Sequence, residues 1–210
     1  MFGLTKKELA ILRRLSTPAK VQDYLDSIPM NWEKKGDTHY SPRNVLRNKK
    51  AHCIEGAALA ALAFWVHDEE PLIMDLYARD GTGDVDHVVA LYKKNGYWGC
   101  VSKTNHPTIR FRDPVYKTLR ELALSYFHEW FMNTSGEKTL ESYSKSLNLK
   151  RFGTLWITSE EDLWYFDDAL NALPHYKLVP KGNRTFIRKA DKMELAAGRL
   201  VEWSQSNRHT

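Results

Sequence analysis

Cysteine is scarce: the 210 residues hold two, Cys53 and Cys100, in unrelated contexts. This excludes the disulfide framework of a small secreted domain and leaves both as thiols. Long apolar runs are also missing. The longest, Ala57 to Val66, falls far short of the roughly 20 residues that cross a bilayer, so no membrane partner is expected. The opening MFGLTKKELAILRRL is broken by Lys6, Lys7, Arg13 and Arg14, unlike the continuous apolar core of a secretory signal, and the expected location is cytoplasmic. There is no internal repeat, low-complexity tract or linker-like stretch.

Metal and nucleotide signatures are equally absent. His52, Cys53, His87, Cys100 and His106 lack zinc-type spacing, because His52 and Cys53 are adjacent and no Cys-x-x-Cys occurs. Gly81-Thr82-Gly83 has neither the lysine nor the following helix of a phosphate loop. No metal and no cofactor are therefore expected. The formal charge of +5 and pI of about 9.1 come from lysines and arginines spread along the chain. That distribution describes a solvated basic surface better than a nucleic-acid track.

What is present is enough apolar material for one core, at 42% hydrophobic and 12% aromatic residues. One α+β domain over 1–210 is expected, with a core at about 18–132 and a C-terminal extension at about 133–210. Leu4 to Leu15 and Pro18 to Ile28 read as helices, the second opened by Thr17-Pro18. Pro29 to Tyr40 reads as a loop, and Ser41-Pro42 opens a short helix through Leu46. The stretch from Cys53 to Val66, CIEGAALAALAFWV, is apolar on all faces after Glu55 and must be buried all round. Strands are expected over Pro71 to Ala78, Asp86 to Tyr92 and Tyr97 to Ser102, the last two joined at Asn95-Gly96. Pro114 to Phe131 has helical spacing with Asp113 as its cap. Glu160 to Leu173 and Ala190 to Trp203 read as helices, and Tyr176 to Pro180 and Thr185 to Ile187 as short strands. The tryptophans recur mostly within apolar patterns, which assigns them to packing.

Cys53 begins the buried helix, where free backbone N–H groups and the positive end of the dipole stabilise a thiolate. Its backbone N–H is also placed to serve as an oxyanion donor. The period of two puts His87, Val89 and Leu91 on one strand face, from which an imidazole can meet a helix packed across the sheet. Such a ring would take the thiol proton and return it to a leaving group.

The order AHCIEGAALAALAF, a strand, then DHVVALYKKNGYWGCVS resembles the transglutaminase-like branch of the papain-like cysteine enzymes, over roughly Val21 to Ser102. The upstream VQDYLDSIPMN resembles the helical lead-in of several such proteins. The resemblance implies a papain-like core whose helix carries the nucleophile Cys53, packed on an antiparallel sheet that carries the base His87, with Trp98 as the hairpin tryptophan. Extra helices would lie at both ends. It also implies a carboxylate on the next strand, at or near Ser102, and no aspartate is there. Trp98, Cys100 and Ser102 share a face, so Ser102 can approach His87 and orient it by a hydrogen bond, without a carboxylate's charge. Asn105, Asp86 and Asp113 are the substitutes. Glu55 either answers the helix dipole or holds a substrate amine or the upstream loop, and the second oxyanion donor is sought in the Met30-Asn31-Trp32 region or at Gln22.

The implied activity is that of a cysteine-dependent acyl transferase or hydrolase. It would act on a peptide or isopeptide amide of a peptide or protein substrate through a Cys53 thioester. The rival is a catalytically inactive fold of the same kind serving as a peptide- or nucleic-acid-binding module. The sequence is silent on oligomeric state.

Overall fold

The computed structural model describes residues 1–34 and 36–204. Three capped helices open the chain: α1 (Lys6–Arg14), α2 (Pro18–Ser27) and α3 (Pro42–Asn48). The side chains of Thr5, Thr17 and Ser41 accept from the backbone N–H of Glu8, Lys20 and Asn44, satisfying donors that the first helical turn leaves free. Helix α4 (Cys53–Val66) follows, with every residue from Ile54 to Phe64 buried. Five alanines between Ala57 and Ala63 let neighbouring elements pack close to the helix backbone.

One antiparallel sheet backs α4. It comprises β1 (Leu72–Ala78), β2 (His87–Lys94), β3 (Tyr97–Val101), β4 (Arg112–Tyr116), β5 (Leu140–Ser144) and β7 (His175–Lys177), in the order β4-β3-β2-β1-β5-β7. The two-residue strand β6 (Leu147–Asn148) also pairs with β1. Asn95 and Gly96 both have positive φ, 51° and 88°, and make the tight turn between β2 and β3.

Period-two alternation divides the sheet into two cores. Ile73, Val88, Ala90, Tyr92 and Val101 pack with α4 and the N-terminal helices, joined by Trp156, Phe166 and Leu170. Met74, Leu76, Val89, Leu91 and Cys100 pack on the other face with Leu122, Tyr126 and Trp130. Both faces are thus covered, which explains the nearly continuous burial of β1 and β2.

Three expectations change here. The helix anticipated over Pro114 to Phe131 is instead strand β4 followed by helix α5 (Leu119–Leu124), capped by Thr118 and not by Asp113. Pairing with β3 holds residues 112–116 extended and overrides their helical spacing. Second, the region after 132 is part of the core: β5 pairs with β1 and Trp156 is fully buried, so the core and extension form one packed unit. Third, helix α6 is confined to Trp164–Asn171 and α7 to Lys192–Gly198, while Thr185 lies in a 3₁₀ turn, not a strand.

Candidate active site

The helix, the sheet and the chain after β3 converge on a cavity of about 660 Å³, in whose wall Cys53 and His87 stand beside Trp32, Trp130 and Phe131. Cys53 is the first residue of α4 and partly exposed, whereas His87, the first residue of β2, is buried. The route of His87 to the sulfur differs from the expected one. Helix α4 packs on the Val88 and Ala90 face, while Val89 and Leu91 belong to the opposite core. The imidazole meets Cys53 at the end of the sheet, where both line the cavity and the ring lowers the thiol pKa, and not across its face.

Ser102 fixes the ring from behind. Its Oγ lies 2.6 Å from His87 Nε2 and donates its own proton to the Ile109 carbonyl at 3.1 Å. With that proton committed, Oγ accepts from Nε2–H, which leaves Nδ1 as the nitrogen facing Cys53. Trp130 supports the ring edge-on, centroids 6.0 Å apart, and is held in turn by its Nε1–H donating to Asp84 at 3.0 Å. Ser102 itself is clamped by Gln22, whose amide accepts from Ser102 N at 3.0 Å and donates to Ser102 O at 2.9 Å.

The backbone at 102–103 sits close to α4 because Gly56 permits it. A Cβ there would stand 2.4 Å from Lys103 Cβ. The Lys103 side chain runs inward, its Nζ donating to the carbonyls of Leu25 and Ile28 at the end of α2, at 2.8 and 2.5 Å. Burial lowers the pKa of this ammonium to about 8.

Glu55 takes the loop-holding role. Its buried carboxylate accepts from Asn31 Nδ2, Thr38 Oγ1 and the backbone N–H of Tyr40 and His52, all at 2.8 to 3.1 Å. Burial raises its pKa, but His52 and these donors outweigh that and bring it below the usual carboxylate range. The 29–40 loop is thereby wrapped around the start of α4, aided by a bridge between Met30 and Ala51.

The remaining candidates separate. Trp32 and Asn31 line the cavity, although the Asn31 amide nitrogen is engaged by Thr38 and Glu55. Gln22 is absent from the cavity wall, because both ends of its amide serve Ser102 and Asp26. It is therefore not an oxyanion donor. Asn105 pairs with the Trp203 backbone through 2.8 Å bonds in both directions and not with His87. Asp86 accepts from Ala78 N at 2.7 Å, and Asp113 is exposed on β4. Neither takes the place of the missing carboxylate.

One neighbour of the sulfur was not foreseen. His52, the N-cap of α4, lies with Nδ1 at 3.9 Å from Cys53 Sγ. The available signal was a histidine in a position where serine, threonine or aspartate is usual. Burial raises the Cys53 pKa, yet hydrogen bonds and charge from His52 and His87 carry it well below the ordinary thiol value. Both imidazoles therefore favour the thiolate over the thiol.

No family model matches the sequence, and no curated protein matches it at a significant level. Among the described residues, no helix is long and apolar enough to cross a membrane.

Proposed function

We propose that the chain is a cysteine-dependent acyl transferase or hydrolase acting on an amide, arranged like the transglutaminase-like branch of papain-like enzymes. The observation that carries this reading is Cys53 and His87 side by side in the cavity wall, with the sulfur at a helix N-terminus and the imidazole tautomer fixed from behind by the buried Ser102.

Cys53 Sγ attacks the carbonyl carbon, and the backbone N–H at the start of α4 is the candidate donor to the developing oxyanion. As the C–N bond breaks, His87 in its imidazolium form gives the Nδ1 proton to the departing amine, leaving a thioester on Cys53. Water or a second amine then attacks, its proton passes to Nδ1, and C–S cleavage restores the thiolate. A cavity walled by Trp32, Trp130 and Phe131 suits a peptide or protein segment as acyl donor, and hydrolysis of a peptide or isopeptide bond is the favoured outcome.

The test is intact-mass analysis after exposure to broad amide and thioester acyl donors. A mass gain that survives denaturation in the wild type and is lost in Cys53→Ala supports the reading. No adduct with any donor, together with saturable peptide binding, would favour the non-catalytic module.

A further inference from the structure

The sulfur has two imidazoles beside it, and the mechanism above uses one. His52 Nε2 lies 2.7 Å from the Thr38 carbonyl, which can only accept, so Nε2 carries a proton. Nδ1 faces the Cys53 sulfur. The ring also stands between two carboxylates, with Nε2 at 3.4 Å from Glu55 Oε1 and 3.5 Å from Glu33 Oε1, and is largely buried. His39 closes the other side, centroids 5.6 Å apart. Beyond the sulfur lie His87 and, at longer range, the carboxyls of Asp75 and Asp86.

We propose that His52 is the standing counter-ion of the Cys53 thiolate, holding the thiol's proton on Nδ1 between the sulfur and the Glu33 and Glu55 carboxylates. This rests on the reading of Cys53 as nucleophile and deepens it. The thiol proton and the proton exchanged with substrate then reside on different rings. In the transglutaminase-like arrangement an aspartate would stabilise the imidazolium of the base. Here Ser102 supplies orientation only, and the fixed positive charge comes from the other side of the sulfur. The electrostatics agree: burial disfavours the His52 cation, but Cys53 and Glu55 raise its pKa to about 11.

The test compares rates of Cys53 alkylation by iodoacetamide against pH in wild type, His52→Gln and His87→Ala, with circular dichroism to verify folding. His52→Gln should move the profile to higher pH and lower labelling at pH 6 by about tenfold or more. His87→Ala should move it less while abolishing turnover. ¹⁵N NMR of the unaltered protein gives a second readout: at pH 8 the His52 ring should show both nitrogens protonated, and carbamidomethylation of Cys53 should bring its pKa down. A singly protonated His52 ring at pH 8, or a profile moved by His87→Ala and not by His52→Gln, would overturn the proposal. If Cys53 were instead no more reactive than Cys100, the nucleophile assignment itself would fall.

Discussion

His87 and Ser102 share a 2.6 Å hydrogen bond whose direction is set by a third group, the Ile109 carbonyl that receives the serine proton. A neutral side chain thus fixes which nitrogen of His87 faces the sulfur. Ser102→Ala should leave the protein folded but about 1–3 kcal/mol less stable, since the Ile109 carbonyl and Nε2–H lose their partner in a buried setting. Turnover should fall as the ring loses its fixed tautomer. Ser102→Asp should raise the pKa of His87, at a further cost in stability because the carboxylate would face that same carbonyl. Denaturant unfolding and an NMR titration of the ring check both; an unchanged His87 titration in Ser102→Asp would contradict the assigned geometry.

Cys53 and Cys100 should differ sharply as thiols. Cys100 is fully buried in β3, and burial pushes its pKa up to about 12, with Sγ at 3.0 Å from Tyr126 Oη. Brief alkylation at pH 7 followed by peptide mapping should find label on Cys53 with an excess of at least about a hundredfold.

Glu55→Gln should be a structural lesion before it is a chemical one. The amide retains one acceptor oxygen where the carboxylate satisfies donors from Asn31, Thr38, Tyr40 and His52, and it removes a charge opposite a buried imidazole. A loss of about 3–5 kcal/mol is expected, or on the order of 10 °C in Tm for a chain of this size. The 29–40 loop should become more accessible to hydrogen exchange than the sheet.

Gly56→Ala tests how closely α4 must approach the chain after β3. Alanine ordinarily favours a helix by about 1 kcal/mol over glycine. Here its Cβ would meet Lys103 Cβ at 2.4 Å, so the variant should be destabilised by about 1–3 kcal/mol. It should also be slower in the proposed acyl transfer, because Ser102 moves with Lys103.

The pH dependence of stability should carry a signature of Asp75. This buried carboxyl on β1 faces His175 at 3.3 Å, and its Oδ1 has no partner among the described residues. Burial, then the charges of Asp86, Cys53 and Asp167, raise its pKa to about 8. The folded state therefore holds a proton that the unfolded chain releases at ordinary carboxylate pH. The sign follows: this contribution is fully present below about pH 4 and is lost as pH rises towards 8, with a slope of at most about 1.4 kcal/mol per pH unit. Asp75→Asn should flatten the curve in that window and raise stability at pH 8, as measured by urea unfolding across pH.

The elements around the site were legible in the sequence because each carries its own local signal. Thr17-Pro18 and Ser41-Pro42 are helix starts, CIEGAALAALAFWV is a helix buried on every face, and Asn95-Gly96 is a hairpin turn. Ser102 was reachable by counting along β3. The parts that escaped depend on partners distant in sequence. Residues 112–116 are extended because β3 lies beside them, and Leu140–Ser144 finds its place through β1. The packing of α4 on the Val88 face, opposite that of Val89, is a property of the assembled sheet, so strand parity does not bring His87 to Cys53. His52 was passed over because a histidine next to a cysteine matches no ligand spacing, and nothing local shows that Glu33 and Glu55 converge on it.

The cavity rim has a different origin from its reactive centre. His87 and Ser102 are 15 residues apart, whereas Asn105 reaches Trp203 across 98 residues and His106 reaches the Gly198 carbonyl across 92. During synthesis the chain through Ser102 emerges well before residues 198–203, and long-range contacts of this kind form late. A nascent chain stalled after β5 would therefore present Cys53 at a wider mouth than the longer chain does. Exposure of the Cys53 sulfur to electrophiles and oxidants would be greatest in that interval.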